Sequence, residues 1–347
     1  MPANLFIPRI EVVFSPLWWN HHYGMEFSKN WWSDPILRTE REREQRRLLF
    51  ERFGDCGLGE ENPLPKPVIG VEYGDRFMAA LWGCEIVYFI DQEPAAIALP
   101  DAKDRMHNLA LPDIYTSPIV QKSLQDGRIL EERYGSCLMS VNFGGPLNNA
   151  FSIFGEEILV CCLSDPKLAQ HILFQMSKAI LEIHENVVCK FNHVPAEETY
   201  LQFFGLGNCP VCMISPQLYE RVVQPVDGWL RTQFSGEFML HHDGLFHPYN
   251  EVYKPLSPTW LDVGWGTDLR KVREDFPDVK ISALIEVGDL GQMSLEEIDR
   301  TIYEMILAAG PVELFSHITI YGIGPDIPDS TIRHLLTVPN RLSSLLR

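Results

Sequence analysis

The chain has no long hydrophobic run and little basic charge. None of its 347 residues falls in an uncharged apolar stretch of about 18 residues, the length that a membrane-spanning helix requires. Lysine and arginine number 29 against 47 aspartates and glutamates, which gives a net charge of −18. A general nucleic-acid binder needs basic surface to displace counterions from phosphates. The composition therefore argues against both a membrane protein and a nucleic-acid-binding protein.

The chain also lacks the basic segment and apolar run of a secretory signal in Met1 to Glu11. Its eight cysteines are scattered through apolar segments, a pattern typical of free thiols in a reducing compartment. Cys209 and Cys212 have C-x-x-C spacing, but no second such motif completes a four-thiolate zinc site. We expect a cytoplasmic protein. The pair could be a redox pair, half of a metal site or two bystander thiols.

No internal repeat or low-complexity linker divides the chain, so we expect one domain over residues 1–347. Residues 1–70 are rich in tryptophan and proline and predict an irregular N-terminal extension over the mouth of the fold. One charged helix is expected within it, from Asp34 to about Phe53. Acids and bases alternate along that helix, which favours a solvated face with i,i+4 pairs over a nucleic-acid contact.

The second half alternates strands with helices. The predicted strands are Tyr200–Phe204, Glu237–Leu240, Trp260–Val263, Val279–Ile285 and Leu314–Ile320. The predicted helices are Pro166–Cys189, Ser215–Phe234, a short one near Tyr249, one opening at Thr267–Asp268, Ser294–Ala309, and Pro328 toward Leu345. This order favours a parallel sheet with helical crossovers, and the length suits a single (β/α)8 barrel.

The segment Met239–Gly244 places His241 and Asp243 two residues apart at the end of a predicted strand. Side chains with this spacing point to the same side of extended backbone. The imidazole and the carboxylate therefore converge on a metal, a proton-transfer site or a buried ion pair. His242 points the opposite way.

Other polar residues also follow predicted strands, where barrel enzymes place their catalytic groups. Glu286 is a candidate metal ligand or general base, with a carboxylate that merely begins a helix as the alternative. Tyr321 is a candidate proton donor, with a packed aromatic as the alternative. His247 and Cys209 are weaker candidate ligands, and Asn208 is expected to face the same barrel mouth.

Several blocks carry a resemblance to the uroporphyrinogen decarboxylase superfamily, which includes the decarboxylase and the zinc-dependent methyltransferases that serve corrinoid proteins. The blocks are Pro16–Gly24, Asn142–Pro146, Ser215–Pro225, His241–Gly244 and Tyr321–Pro328. Ser215–Pro225 is the most specific of them. The resemblance covers most of the chain and implies a (β/α)8 barrel, often dimeric.

The departures from this pattern bear on the substrate. His21 and Met25 stand where the decarboxylase carries two carboxylate-binding arginines. Neutral side chains cannot replace such cationic forks, so uroporphyrinogen is not the expected substrate. Asp91 corresponds to the aspartate that holds the pyrrole nitrogens, and Tyr321 replaces the histidine of the closing segment.

The N-terminal block is also the expected substrate contact. His21, His22 and Tyr23 are candidate substrate-binding residues, as are Trp18 and Asn208. Trp18, Trp19, Trp31 and Trp32 could line an apolar ligand pocket, or could simply pack a loop onto the barrel.

The methyltransferases bind zinc through His-x-Cys and a distant Cys, and these positions read His241, Asp243 and Tyr321 here. Zinc accepts histidine nitrogen and carboxylate oxygen. We therefore expect a divalent metal, zinc above all, on His241 and Asp243 with Glu286. The resemblance implies a cytoplasmic methyltransferase that passes a methyl group from a small methylated compound to a corrinoid on a partner protein.

Two rival functions stay open at this point. One is a metal-independent decarboxylase or lyase for a small carboxylated substrate, in which Asp91 and Tyr321 perform the proton chemistry. The other is a barrel that binds a ligand without catalysing a reaction.

Overall fold

A six-stranded, all-parallel sheet forms the centre of the molecule. The structure is a computed structural model that describes residues 8–194 and 203–345. The strand order in the large sheet is β1–β10–β9–β8–β7–β6. These strands are β1 (Arg9–Phe14), β6 (Phe203–Gly207), β7 (Glu237–His242), β8 (Trp260–Val263), β9 (Lys280–Ile285) and β10 (Phe315–Ile323).

Two small sheets lie outside it. β2 (Val68–Ile69) pairs parallel with β5 (Leu138–Met139), and β3 (Glu85–Val87) pairs antiparallel with β4 (Ala95–Ile97). The segment after β5 approaches β6, because the Gly145 amide donates to the Gly207 carbonyl at 2.6 Å. The parallel α/β architecture is confirmed. Closure into an eight-stranded barrel stays a prediction, since the strand order in the described residues has β1 and β6 at its two edges.

Helices surround the sheet. In the N-terminal half they are α1 (Pro16–Tyr23), α2 (Lys29–Ser33), α3 (Pro35–Phe53), α4 (Phe77–Leu81), α5 (Ala102–His107), α6 (Pro118–Tyr134), α7 (Pro146–Phe154), α8 (Glu157–Ser164) and α9 (Pro166–Ile183). In the C-terminal half they are α10 (Pro216–Leu218), α11 (Gln224–Arg231), α12 (Asn250–Tyr253), α13 (Leu269–Asp275), α14 (Val287–Leu290), α15 (Leu295–Ala309) and α16 (Asp329–Leu345). None of the described helices combines the length and the apolar character that a membrane span requires.

Local signals explain why the helices begin where they do. The Asp34 carboxylate accepts hydrogen bonds from the first free amides of α3, from Ile36 at 3.0 Å and Leu37 at 2.9 Å. Ser294 and Glu297 form a reciprocal capping box at the start of α15. Both starts match the sequence-based predictions.

The predicted strands of the second half are confirmed. Most of these strands begin or end one to three residues away from their predicted bounds. For the predicted strand Tyr200–Phe204, residues 200–202 lie outside the described residues, and β6 begins at Phe203. The predicted irregular N-terminal extension is wrong at residues 9–14. These residues form β1, which pairs in parallel with β10 inside the large sheet. Their alternation of polar and apolar residues is the period of a strand with one buried face.

Candidate metal centre

Three side chains converge at the carboxyl ends of β6 and β7. They are Cys209, His241 and Asp243, and their ligand atoms all lie within 4.8 Å of one another. The His241 Nε2 lies 3.1 Å from the Asp243 Oδ1, which confirms the predicted convergence of these two residues. Their side chains remain 21% and 40% exposed, so the group is open to solvent.

The sheet register brings Cys209 into this group. His241 in β7 pairs with Gly207 in β6, and the Asn208 amide donates to the His241 carbonyl at 3.0 Å. Cys209 then opens a short 3-10 turn that holds its thiol beside the imidazole. Gly207 lies beside His241, and a Cβ there would be 3.7 Å from the imidazole ring, an ordinary van der Waals distance.

The next two strands fix the orientation of His241. Its Nδ1 lies 2.9 Å from an oxygen of Asp262 in β8. The other Asp262 oxygen accepts from the Ser282 hydroxyl of β9, and that hydroxyl accepts from the Trp260 indole N–H at 2.9 Å. This close contact favours the imidazole proton on Nδ1, which would make the Nε2 lone pair on the side of Asp243 available to a metal.

The charges at this site depend on one another. Burial by itself lowers the pKa of His241, but its hydrogen bonds with Asp243, Asp262 and Cys209 outweigh burial and raise that pKa well above its ordinary value. The hydrogen bond from His241 lowers the pKa of Asp243. Burial opposes ionisation of Asp262, yet His241 also lowers the pKa of that carboxyl. The carboxylates of Asp243 and Asp262 therefore favour a positive charge at His241. That charge is either a second proton, on Nε2, or a metal ion beside Nε2.

The donor set fits zinc. Thiolate sulfur, imidazole nitrogen and carboxylate oxygen are the three ligand types that zinc binds in proteins. Three protein ligands with solvent access leave a fourth coordination position open, which is the pattern of catalytic rather than structural zinc sites. The residues present are therefore compatible with a catalytic metal.

The other predicted ligands lie outside this group of three. Glu286 is exposed and immediately precedes α14. The His247 Nδ1 accepts from the Asp268 amide at 3.2 Å. His242 is fully buried on the opposite face of β7, as its position predicts, with its ring stacked on Phe246 at 4.9 Å.

Tyr321 lies near the carboxyl end of β10 and is 58% exposed. Partial burial of its hydroxyl, followed by the charges of Glu93, Asp75 and Asp243, raises its pKa. The hydroxyl is therefore protonated at neutral pH and lies in the electrostatic field of the candidate metal centre. Asp91, the other predicted acid, lies half-buried in the loop between β3 and β4 and is not part of the group.

Asn208 has a structural role beside the candidate metal centre, and its predicted contact with substrate stays a prediction. It is only 4% exposed, and its amide donates to the Asp227 Oδ2 at 2.8 Å. The Tyr219 hydroxyl donates to the same oxygen at 2.8 Å. These buried bonds anchor the backbone that carries Cys209.

Trp18 follows the packing alternative of the two roles predicted for it. Its side chain is fully buried against Phe14 and Phe53, with the Arg52 guanidinium 5.0 Å from its ring. The structure therefore supports the packing alternative for this tryptophan. Its aromatic surface stabilises the junction of α1 and α3 instead of facing a ligand.

The remaining residues of that block lie on α1. His21 is exposed, whereas the His22 ring packs against Trp18 at an angle of 55°, with 4.7 Å between the ring centres. Burial and then the Arg52 charge lower the pKa of His22. Tyr23 is half-buried, with the Arg52 guanidinium 6.0 Å from the centre of its ring. None of the three belongs to the Cys209–His241–Asp243 group.

Sequence reasoning did not single out Asp262 or Ser282, although it predicted both strands that contain them. The available signal was an aspartate inside the otherwise apolar strand Trp260–Val263. The contacts of Asp262 with His241 and Ser282 follow only from the strand register. That register pairs His241 in β7 with Asp262 in β8, and Asp262 with Ser282 in β9.

Comparison with known proteins supports the fold. No family model and no curated protein matches this chain. Among solved structures, 27 chains resemble it. One is a methyltransferase from Methanosarcina mazei, with a TM-score of 0.64 and 15% sequence identity over 99% of this chain and 95% of that one. At this identity the likeness establishes a shared fold over almost the full length, and the fold alone.

Proposed function

We propose that this chain is a metal-dependent methyltransferase. It takes a methyl group from a small methylated compound, such as an O-methyl compound, and passes the group to a corrinoid on a partner protein. The observation that carries the proposal is the open Cys209–His241–Asp243 group with Asp262 behind the imidazole. The fold shared with a protein named as a methyltransferase supports it.

A divalent ion such as zinc on Cys209, His241 and Asp243 would polarise the heteroatom that carries the methyl group. Asp262 orients His241, so that Nε2 rather than Nδ1 faces the reaction site. Tyr321, whose hydroxyl is protonated at neutral pH, donates a proton to the departing oxygen as the methyl–oxygen bond breaks.

The methyl acceptor in this proposal is a reduced corrinoid. The sequence resemblance described above supports this acceptor, and the exposure of Tyr321 and Asp243 is compatible with a macromolecular partner at this edge of the sheet. A corrinoid takes the methyl group as a nucleophile, so no oxidant is required for the transfer.

Metal analysis tests the proposed ligands. We expect purified protein to contain about one zinc or similar divalent ion per chain, and His241→Ala and Cys209→Ser to lose most of it. Cys212→Ser is the matched control, because Cys212 lies in the same turn but outside the group of three. Loss of metal from the control but not from Cys209→Ser would contradict this ligand set.

Activity assays separate methyl transfer from the alternative reaction. Wild-type protein with a reduced corrinoid acceptor should demethylate a suitable methyl donor, and His241→Ala should not. A metal-free protein that is fully active, or one that releases carbon dioxide from a small acid without any corrinoid, would favour the decarboxylase or lyase instead.

A further inference from the structure

A cavity lined by none of the candidate metal ligands lies between α1, α2, α3 and β2. Its volume is about 360 Å³, and aromatic side chains form much of its wall. Trp19, Phe27, Trp31 and Trp32 all line it, and each is at least 92% buried. The Trp32 indole N–H donates to the Phe27 carbonyl at 2.9 Å, which fixes one wall. The cavity is large enough for a small ligand, and its walls are rich in π-electron density.

Two carboxylates also line this cavity, and none of its lining residues in the described part of the chain is a lysine, arginine or histidine. Glu42 projects from α3 and has no hydrogen bond or ion pair with any described residue. Burial raises its pKa, while Arg38 and Arg46 oppose that rise. Glu93, at the rim of the cavity, likewise has a raised pKa because of partial burial and the neighbouring Asp75.

The nearby arginines are occupied elsewhere. The Arg38 guanidinium donates to the carbonyls of Trp32 at 2.6 Å and Val68 at 3.0 Å. Arg46 pairs with Glu60 at 3.4 Å. Neither forms an ion pair with Glu42, so an ionised Glu42 at the cavity wall has no direct ion-pair partner, although both arginines lie near enough to lower its pKa.

We propose that this cavity binds an organic ammonium cation that carries alkyl groups on its nitrogen. Such a cation spreads its charge over methyl groups, which pack against aromatic rings while the rings attract the charge. A bare metal ion would need several converging oxygen ligands, and a neutral apolar ligand would leave the Glu42 carboxylate without a partner. The combination of aromatic walls and acids therefore favours an alkylated ammonium group.

The cavity and the candidate metal centre lie toward the same edge of the sheet. Phe14, which lines the cavity, ends β1, and the charge of Glu93 acts on Tyr321, as does that of Asp243. A quaternary nitrogen has no lone pair for a metal, so the ammonium group serves recognition and is not the group that the metal would polarise. Binding of an ammonium group at this cavity therefore does not depend on methyl transfer at the candidate metal centre.

Choline is the probe, and 3,3-dimethylbutan-1-ol is its uncharged control, because a carbon atom replaces the nitrogen at nearly constant shape. We expect saturable binding of choline by calorimetry, with a matching change in tryptophan fluorescence. The alcohol should bind at least about tenfold more weakly. Equal affinities would show a merely apolar cavity, and no binding of choline would also overturn the proposal.

Variants locate the binding site. Glu42→Gln should weaken choline binding about tenfold, whereas Glu44→Gln on the same helix should not, because Glu44 pairs with Arg41 at 2.7 Å. Trp31→Phe should weaken binding severalfold, since indole attracts cations better than a phenyl ring. Thermal melts of each variant show whether the fold is retained. Unchanged affinity in folded Glu42→Gln and Trp31→Phe would exclude this cavity as the choline site.

The two possible sources of the ammonium group give different results. If it belongs to the methylated substrate, choline should inhibit methyl transfer competitively. If it belongs to a separate ligand, choline should bind without competing with the substrate. His241→Ala should keep its choline affinity in either case, so loss of the metal centre and absence of the ammonium site are distinguishable.

Discussion

At the scale of single residues, the candidate metal centre depends on a carboxylate that does not itself reach the metal position. Asp262 contacts the Nδ1 of His241, and Ser282 in turn donates to Asp262. Such partners fix the tautomer and the ring plane of a metal-binding histidine. The chemistry of His241 is therefore set by a neighbouring strand as much as by its own.

Asp262→Asn should weaken zinc binding about 10- to 100-fold while the protein stays folded, because the amide no longer holds the proton on Nδ1. Competition with a chelator of known affinity measures the change. Asp278→Asn, at an exposed position just before β9, is the matched control and should bind zinc like wild type. Equal zinc affinity in Asp262→Asn and wild type would remove Asp262 from this role.

A second buried acid gives a pH-dependent prediction. Burial raises the pKa of Asp227 from 3.8 to about 7, and the hydrogen bonds from Tyr219 and Asn208 oppose that rise only in part. The folded chain therefore holds this proton more tightly than the unfolded chain does. Its stabilising contribution is complete below about pH 4 and declines as the pH rises to about 7.

Asp227→Asn, which cannot ionise, should remove that decline. The free energy of unfolding of wild type relative to the variant should fall by as much as about 4 kcal/mol between pH 4 and 7, as measured by urea unfolding. Asp275 serves as a control because its pKa is shifted in the opposite direction. Hydrogen bonds from Lys254 and Asn250 lower the pKa of this carboxyl. Its contribution is present above its unfolded pKa and is lost at lower pH.

At the scale of elements, the loops after β7 and β8 approach each other closely. A Cβ at Gly264 would lie 2.1 Å from the backbone carbonyl of Asp243, a distance that no side chain tolerates. Gly145 is similar, with a Cβ position 2.0 Å from the Asn208 Oδ1. Both glycines therefore let neighbouring segments approach the residues that shape the candidate metal centre.

Gly264→Ala should displace the Asp243 loop, lower the stability by about 1 to 3 kcal/mol and weaken zinc binding. Gly288→Ala, in a helix with open space at its Cβ position, should leave both quantities nearly unchanged. Thermal melts and zinc titration on the two variants test this. Wild-type zinc affinity in Gly264→Ala would mean that the loop does not fix Asp243.

At the scale of the whole molecule, the N-terminal and C-terminal parts of the described chain are held together. β1 pairs with β10 along its length, and the Arg52 guanidinium makes two 2.7 Å bonds to the Asp329 carboxylate at the start of α16. The aromatic cavity and Tyr321 are thereby brought to the same edge of the molecule, although hundreds of residues separate them in the chain.

Ile10→Asp should test this connection, because Ile10 is 9% exposed and its replacement buries a charge in the large sheet. We expect a loss of about 3 kcal/mol or more, seen as earlier urea unfolding of the entire chain by both circular dichroism and tryptophan fluorescence. Val13→Asp, on the 38% exposed face of the same strand, should cost far less. Unfolding limited to the N-terminal tryptophans would contradict a single cooperative unit.

The sequence by itself determined the features that depend on near neighbours in the chain. Strand periodicity and helix caps located β7 to β10 and the starts of α3 and α15, because side-chain period and capping bonds act over a few residues. The two-residue spacing of His241 and Asp243 predicted their convergence for the same reason.

Only the tertiary structure decided which distant residues join them. The strand register placed Asp262 behind His241, and the pairing with β6 brought in Cys209, since register is set by the packing of whole strands rather than by local spacing. The cavity behind Trp31 and Glu42 likewise exists only where three helices and β2 meet. Such contacts depend on the relative placement of elements, which neither periodicity nor composition encodes.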